Sequence, residues 1–284
     1  MLFRSLACIL TFLAMAVAAQ AQFSGSIKTL KRNHIVGEPV IVRITLTNFT
    51  GREQILHGNR MPWISFMVKN SNGNPVIARG APAPGPIRIE AGQTLARDFN
   101  LSQQFQLNDP GNYSVSAVIR PNDESIEGTT TQRALFQLTE GRPYWSRKVG
   151  NVGPRGSTHE YRILQFRSDK AAQFYVQIKE TQTGRTLRTA SLGNVLMMRK
   201  PTITIDGQRH LHVLFLTTPN TYLHYQISPM GELVNRAMHR HASRGEPALT
   251  TTREGAVIVT NSVLYDPVAE AKKRAEIKKI TDRP

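Results

Sequence analysis

The chain has 284 residues, 40% of them hydrophobic, a formal net charge of +16 and a single cysteine, Cys8. That length suits two domains of ordinary size, each with its own core. One cysteine excludes an internal disulfide framework.

The first residues read as a secretory signal peptide. Arg4 supplies the positive start, residues 6–19 are apolar apart from Thr11, and Ala19-Gln20-Ala21 matches the small-x-small cleavage pattern. Cleavage is expected after Ala21. The apolar run falls short of the roughly 20 residues that a membrane-spanning helix needs, and no later segment is long and apolar enough. Cys8 lies early in the apolar run, which argues against a lipoprotein anchor. Cleavage would remove Cys8, leaving no thiol nucleophile and no thiolate metal ligand. An exported chain without disulfides fits a bacterial periplasm or exterior.

Residues 22–140 read as a string of short strands with turn signals between them. Segment 38–48 alternates: Val40, Val42, Ile44 and Leu46 point one way, with Ile41, Arg43, Thr45 and Thr47 on the other side. Residues 63–69 form a second strand, closed by the Asn/Gly-rich turn 70–74. A Pro/Gly loop at 80–86 connects to strands at 87–90, 94–101, 112–120 and 133–139. Asp109-Pro110-Gly111-Asn112-Tyr113 has the D-x-G-x-Y form of a tyrosine corner, so Asp109, Gly111 and Tyr113 are expected to be structural.

Four segments together resemble a bacterial immunoglobulin-like β-sandwich of the intracellular proteinase-inhibitor type. They are Val36-Gly37-Glu38-Pro39-Val40, Thr45-Leu46-Thr47-Asn48-Phe49-Thr50-Gly51, Glu90-Ala91-Gly92-Gln93 and Pro110-Gly111-Asn112-Tyr113. The resemblance covers residues 24–139 and implies a fold rather than an activity. It carries no inhibitory motif. If an inhibitory loop exists, residues 78–86 are the best guess by length and exposure.

Residues 141–158 (GRPYWSRKVGNVGPRGS, then Thr) are rich in Gly and Pro and read as a linker, with Tyr144 and Trp145 packed at the domain junction. A second β domain is expected over 159–265. Its strands fall at 160–166, 172–180, 185–191, 202–205, 210–217, 222–227, 233–237, 249–252 and 256–260. Phe174-Tyr175-Val176-Gln177-Ile178 resembles Leu223-His224-Tyr225-Gln226-Ile227, and the turn Asp206-Gly207 resembles the turn Glu254-Gly255. This weak repeat has the rhythm of propeller blades, yet about two and a half units fit where a closed propeller needs at least four. The domain is therefore a propeller-like meander, a sandwich or an incomplete propeller. Residues 266–284 form a basic helix and tail, with Asp266 as cap and Pro267 at the first position. Val268, Ile277 and Ile280 give it a thin apolar stripe. The fold class is all-β.

Charge is unevenly spread. Residues 22–141 hold 12 Lys/Arg and 9 Asp/Glu, whereas residues 142–284 hold 23 and 11. A basic second half attracts anionic partners at long range or simply keeps the surface solvated. Arg209, Arg236, Arg240, Lys272 and Lys273 are the candidate binding cations.

No motif fixes a reaction. There is no H-E-x-x-H, G-x-S-x-G, phosphate-binding loop or dinucleotide fingerprint, and no cofactor is called for. Ser157-Thr158-His159-Glu160 puts hydroxyl, imidazole and carboxylate together, but triads assemble in space rather than along the chain. His210 and His212 share a strand face and His224 lies on a neighbouring strand, so the three imidazoles are a candidate zinc set. His239 and His241 repeat that spacing. Arg209 and Arg240 lie adjacent, and no carboxylate is placed to support a metal. Leu211, Val213 and Phe215 are expected to face the core, leaving the histidine face at least partly solvated.

The leading expectation is a non-catalytic exported envelope protein, binding or structural. Its partner would be an anionic envelope polymer, lipopolysaccharide or another envelope protein, and export argues against nucleic acid. Proteinase inhibition and metal-dependent catalysis are the alternatives. Oligomeric state is not encoded in any pattern found.

Overall fold

A computed structural model describes residues 23–58, 61–80, 84–120, 128–152, 156–167, 171–243 and 245–281. The expected signal segment, the centre of the loop at 78–86 and the last residues of the tail lie outside the described residues. The chain divides into two units after Thr139. Among the described residues, no helix is long and apolar enough to cross a membrane.

In chain order, unit 1 holds β1 (Phe23–Thr29), β2 (Asn33–Ile35), β3 (Ile41–Asn48), β4 (Gln54–Leu56), β5 (Ile64–Asn70), β6 (Ile87–Ile89), β7 (Thr94–Asn100), the single-turn helix α1 (Leu101–Gln104), β8 (Gly111–Ile119), β9 (Thr129–Thr130) and β10 (Ala134–Thr139). One sheet runs β1-β3-β7 and a second runs β2-β10-β8-β5, with β9 beside β8 and β4 pairing β6. The β2–β10 pair is parallel, whereas the rest are antiparallel.

The alternation in β3 decides the core. Val42, Ile44 and Leu46 are buried, as is Val40 just before the strand. The second sheet adds Ile64, Val68, Val115, Ala117, Ile119, Phe136 and Leu138 to the same cluster. Each large apolar side chain so buried contributes roughly 1.5–3 kcal/mol, so the side facing the other sheet wins. Gly25 of β1 allows close approach, because a Cβ there would sit 2.1 Å from Ile119 Cδ1.

Tyr113 stacks on Phe136 at 5.3 Å between centroids, and its hydroxyl donates to the carbonyl of Asp109 at 2.8 Å. Tyr113→Phe removes this donor and leaves the ring in place. The expected loss is about 1 kcal/mol, the usual net value of one hydrogen bond, read as a shift in denaturation midpoint. An unchanged midpoint would contradict a role for the hydroxyl in holding the turn.

Unit 2 holds β11 (Arg142–Val152), β12 (Ser157–Arg167), β13 (Ala172–Glu180), β14 (Thr186–Asn194), β15 (Thr202–Ile205), β16 (Leu211–Thr218), β17 (Thr221–Ile227), β18 (Leu233–His241), β19 (Ala248–Thr251), β20 (Val257–Thr260), β21 (Ser262–Leu264) and the helix α2 (Pro267–Thr281). Three small sheets follow in succession: β11-β12-β13-β14, then β15-β16-β17-β18-β21, then β19-β20. They are arranged like the blades of a propeller. The repeated segments at 174–178 and 223–227 lie in β13 and β17, the third strands of the first two sheets. The repeated Gly turns meet, with Gly207 N–H donating to the Gly255 carbonyl at 2.9 Å.

The expected linker at 141–158 is overturned. Most of it is β11, an edge strand paired along β12, and the second unit begins at Glu140 rather than 159. Pro143 is tolerated because an edge strand has one unpaired side, and the register shifts around Pro143 and after Val149 absorb the irregular residues. Tyr144 and Trp145 pack against unit 2's own core, with Tyr144 5.0 Å from the Phe174 ring.

The unit 2 core lies between its first two sheets. Tyr161, Ile163, Phe174, Val176 and Ile178 meet Leu211, Val213, Phe215, Leu223, Tyr225 and Ile227. The reverse face of the second sheet is also covered: Leu214, Leu216 and Tyr222 pack with Leu196, Leu249 and Val259. Helix α2 starts where expected, with Asp266 Oδ1 accepting from the backbone N–H of Val268 and Ala269. Val268 is exposed; the side chains of Ile277 and Ile280 lie outside those described.

Candidate functional site

Buried polar side chains converge on that reverse face of the second sheet, among them His212, His224 and His239. It begins at the β15–β16 turn. Arg209 adopts φ 68°, and the turn closes with Arg209 N–H donating to the Asp206 carbonyl. This tight bend sets the Asp206 carboxylate over the start of β16. Its Oδ1 accepts from the backbone N–H of His210 at 2.7 Å. Its Oδ2 faces His210 Nδ1 at 3.0 Å and His212 Nε2 at 3.1 Å. The Arg209 carbonyl accepts from the Tyr161 hydroxyl at 3.0 Å, and burial pushes that hydroxyl up so that it stays a donor.

From His212 the chain of contacts continues across the sheet. His212 pairs in register with Gln226, and the same face of β17 carries His224. His212 Nδ1 lies 3.0 Å from His224 Nε2, with the rings nearly parallel. His224 meets the edge of His239 at 6.1 Å between centroids, and His239 Nδ1 reaches Ser262 Oγ at 3.0 Å. The order is thus Asp206, His212, His224, His239, Ser262.

Burial governs its electrostatics. Burial drives the His224 pKa down to about 4, helped by His212 and His239 nearby. Burial also lowers His239. The Asp206 carboxyl is pushed up by burial, but hydrogen bonds from His212 and from the backbone and ring of His210 outweigh this and hold it low. With Nε2 donating to the carboxylate, the His212 ring can accept at Nδ1 from His224 Nε2–H. The Ser262 hydroxyl lies within reach of the Val259 carbonyl and can accept from His239 Nδ1–H. His239 Nε2 is left as a buried lone pair with no partner among the described residues.

Two expectations are corrected here. The histidine face is partly solvated only at its start: the His210 side chain is 19% exposed, whereas His212 is 2% exposed, His224 7% and His239 9%. Leu211, Val213 and Phe215 do face the core, but strand alternation cannot show that the β19–β20 hairpin covers the other side. A carboxylate is also present where the sequence shows only turn chemistry: Asp206 Oδ2 lies beside both rings. His210, His212 and Asp206 come together, and His224 joins through His212.

Among the described residues, no group of three or more His, Cys, Asp or Glu is arranged to hold a metal ion. The 3.0 Å between His212 Nδ1 and His224 Nε2 is a hydrogen-bond distance.

Ser157 and His159 also meet, Oγ to Nε2 at 3.0 Å, with His159 Nδ1 on the Pro229 carbonyl at 2.9 Å. The Ser157 hydroxyl donates to the Val152 carbonyl, so its proton is already used. Glu160 stands on the opposite face of β12, 4.0 Å from Arg162, and does not complete a triad. Around the loop at 78–86, Arg79 N–H donates to the Gln104 carbonyl and Trp63 Nε1–H to the Gly85 carbonyl, tying both ends to the body of unit 1.

The five candidate cations do not form one patch. Arg209 closes the β15–β16 turn. Arg240 is committed to α2, with its Nη1 2.9 Å from Glu270 Oε2 and its guanidinium 3.6 Å from the centre of the Tyr265 ring. Glu270 also pairs with Arg274. Arg236 is exposed on β18 over the Tyr225 ring, and Lys272 and Lys273 are exposed on α2.

No family model matches the chain, and no curated protein matches it. Among solved structures it is similar to a Pseudomonas fluorescens alkylpurine DNA glycosylase AlkC, solved with DNA containing an abasic site analogue. The identity is 14%, the TM-score 0.26, and the match spans 45% of this chain and 33% of that one. A likeness of that size carries no argument about fold or activity. What the strands and their packing define is an all-β protein of two units, the second propeller-like, with a closed histidine chain inside it.

Proposed function

We propose that this is an exported, non-catalytic binding or structural protein of the cell envelope, which meets an anionic partner through the cations of its second unit. The observation that carries the reading is the surplus of 23 Lys/Arg over 11 Asp/Glu in residues 142–284. Arg236, Lys272 and Lys273 stand exposed within it, and the conspicuous polar chemistry, by contrast, is buried and bonded within itself. A buried chain of this kind holds strands together. Export rests on the signal-like residues 1–21, and an immunoglobulin-like sandwich for unit 1 is supported by the core its two sheets share and by the Tyr113–Asp109 bond.

The test is retention of the full chain on an immobilised anionic polysaccharide. The triple variant Arg236→Ala/Lys272→Ala/Lys273→Ala is expected to elute at clearly lower salt than the parent, since each neutralised contact reduces counterion release. Identical elution of variant and parent would remove these residues from the binding surface.

A further inference from the structure

We infer that unit 1 carries a separate oxyanion site on the outward face of its β10-β8-β5 sheet, where Lys69 and Arg133 flank the hydroxyls of Ser114 and Ser116. The residues come together through register. Lys69 of β5 pairs with Ser114 of β8, and Met67 with Ser116. On the other side of β8, Ala134 pairs with Val115, which sets Arg133 beside Ser116, and Thr130 pairs with Val118. Val115 and Ala117 point into the core, so Ser114 and Ser116 point away from it. The two cations therefore stand diagonally across one strand, on backbones about 9.6 Å apart at two strand spacings, within reach of one ligand group.

These residues line a cavity of about 200 Å³. Its lining includes Thr130 and, among the described residues, no carboxylate. Neither Lys69 nor Arg133 has an ion-pair partner among the described residues. Thr131 is spent on structure: its hydroxyl accepts from Ala117 N–H and donates to the Gln132 carbonyl. Ser116 is 8% exposed and forms the floor. A guanidinium grips an oxyanion through two parallel N–H donors, an ammonium adds a point charge and the serine hydroxyls supply further donors. The volume lies below the roughly 300–1,000 Å³ of sites that enclose a whole drug-sized ligand. It suits one phosphate, sulfate or carboxylate group projecting from a larger molecule, with Met67 as apolar wall.

This site is independent of the second-unit cations, so its fate and theirs separate. The experiment titrates the full chain with inorganic phosphate, sodium sulfate and galacturonate, following backbone and Arg side-chain NH shifts by NMR, with uncharged galactose as control. Saturable shifts are expected at Ser114, Ser116 and Arg133 with at least one anion and none with galactose. Preference for phosphate or sulfate assigns an ester-bearing ligand, and preference for galacturonate a uronate-bearing one. Arg133→Ala is expected to weaken binding about tenfold and Lys69→Ala several-fold, whereas Arg236→Ala/Lys272→Ala/Lys273→Ala leaves it unchanged. Absence of saturable shifts with all three anions, or undiminished affinity in a folded Arg133→Ala/Lys69→Ala chain, would overturn the site.

Discussion

Asp206→Ala is expected to destabilise the protein by about 3 kcal/mol, more than any other single polar truncation considered. The Asp206 side chain is 7% exposed and its two oxygens receive three donors, from His210 N, His210 Nδ1 and His212 Nε2. Removing it strands a donor on the His212 ring, itself 3% exposed, and each buried group left unsatisfied costs about 1–3 kcal/mol. The β15–β16 turn would loosen at the same time. Asp206→Asn keeps the shape and one acceptor oxygen, so it should cost less than Ala. Chemical denaturation with an unchanged m-value reads both. A loss below about 0.5 kcal/mol for Ala, the scale of an ordinary surface substitution, would show that the carboxylate holds nothing of consequence.

The second large effect is acid lability. The His224 imidazole binds its proton near 6.5 when unfolded but only near 4 when folded, because burial penalises its charge. The sign follows from proton counts. Between these values the unfolded chain holds a proton that the folded chain does not, so stability falls as pH falls through this window and levels off below the folded value. At 1.36 kcal/mol per unit, His224 alone accounts for roughly 3 kcal/mol between pH 6.5 and pH 4. His239 and His34 are lowered by burial too and act with the same sign. Asp206 is lowered below its ordinary 3.8, so its own contribution is lost further down, as pH falls beneath that value. Denaturation midpoints from pH 7 to pH 4 should decline steeply, and His224→Gln should flatten the decline. A flat profile for the parent, or a His224 ring titrating near 6.5 by NMR, would contradict the buried neutral imidazole.

What the sequence disclosed follows from period and turn chemistry. The alternation of Val40, Val42, Ile44 and Leu46 marked the buried face of β3, and the Asp266-Pro267 pair marked the start of α2. The repeat at 174–178 and 223–227 pointed to equivalent strands. What stayed hidden has physical causes. β1 (FSGSIKT) carries only Phe23 and Ile27 as large apolar residues, because Gly25 must admit Ile119, so its alternation is faint. Edge position made the Pro and Gly of β11 harmless, and edge position is not visible in a local stretch. Alternation placed His210 and His212 opposite Leu211, Val213 and Phe215, but whether a face is wet depends on what covers it. The cover here is β19–β20, some forty residues further along. Asp206 looked like a turn former because its tertiary partners sit after the bend. The same holds for Lys69 and Arg133, ordinary strand-end cations until β8 brings them to one face.

On the proposed reading, the molecule works through surface cations rather than through its buried histidines. The most direct measurement is the affinity of the full chain for a soluble anionic polysaccharide across a salt series, with the uncharged parent polysaccharide as control. The expected result is that log K falls linearly with log salt, with a slope that shrinks in Arg236→Ala/Lys272→Ala/Lys273→Ala, and no binding to the uncharged polymer. Binding that is indifferent to salt, or equal for charged and uncharged polymers, would contradict it.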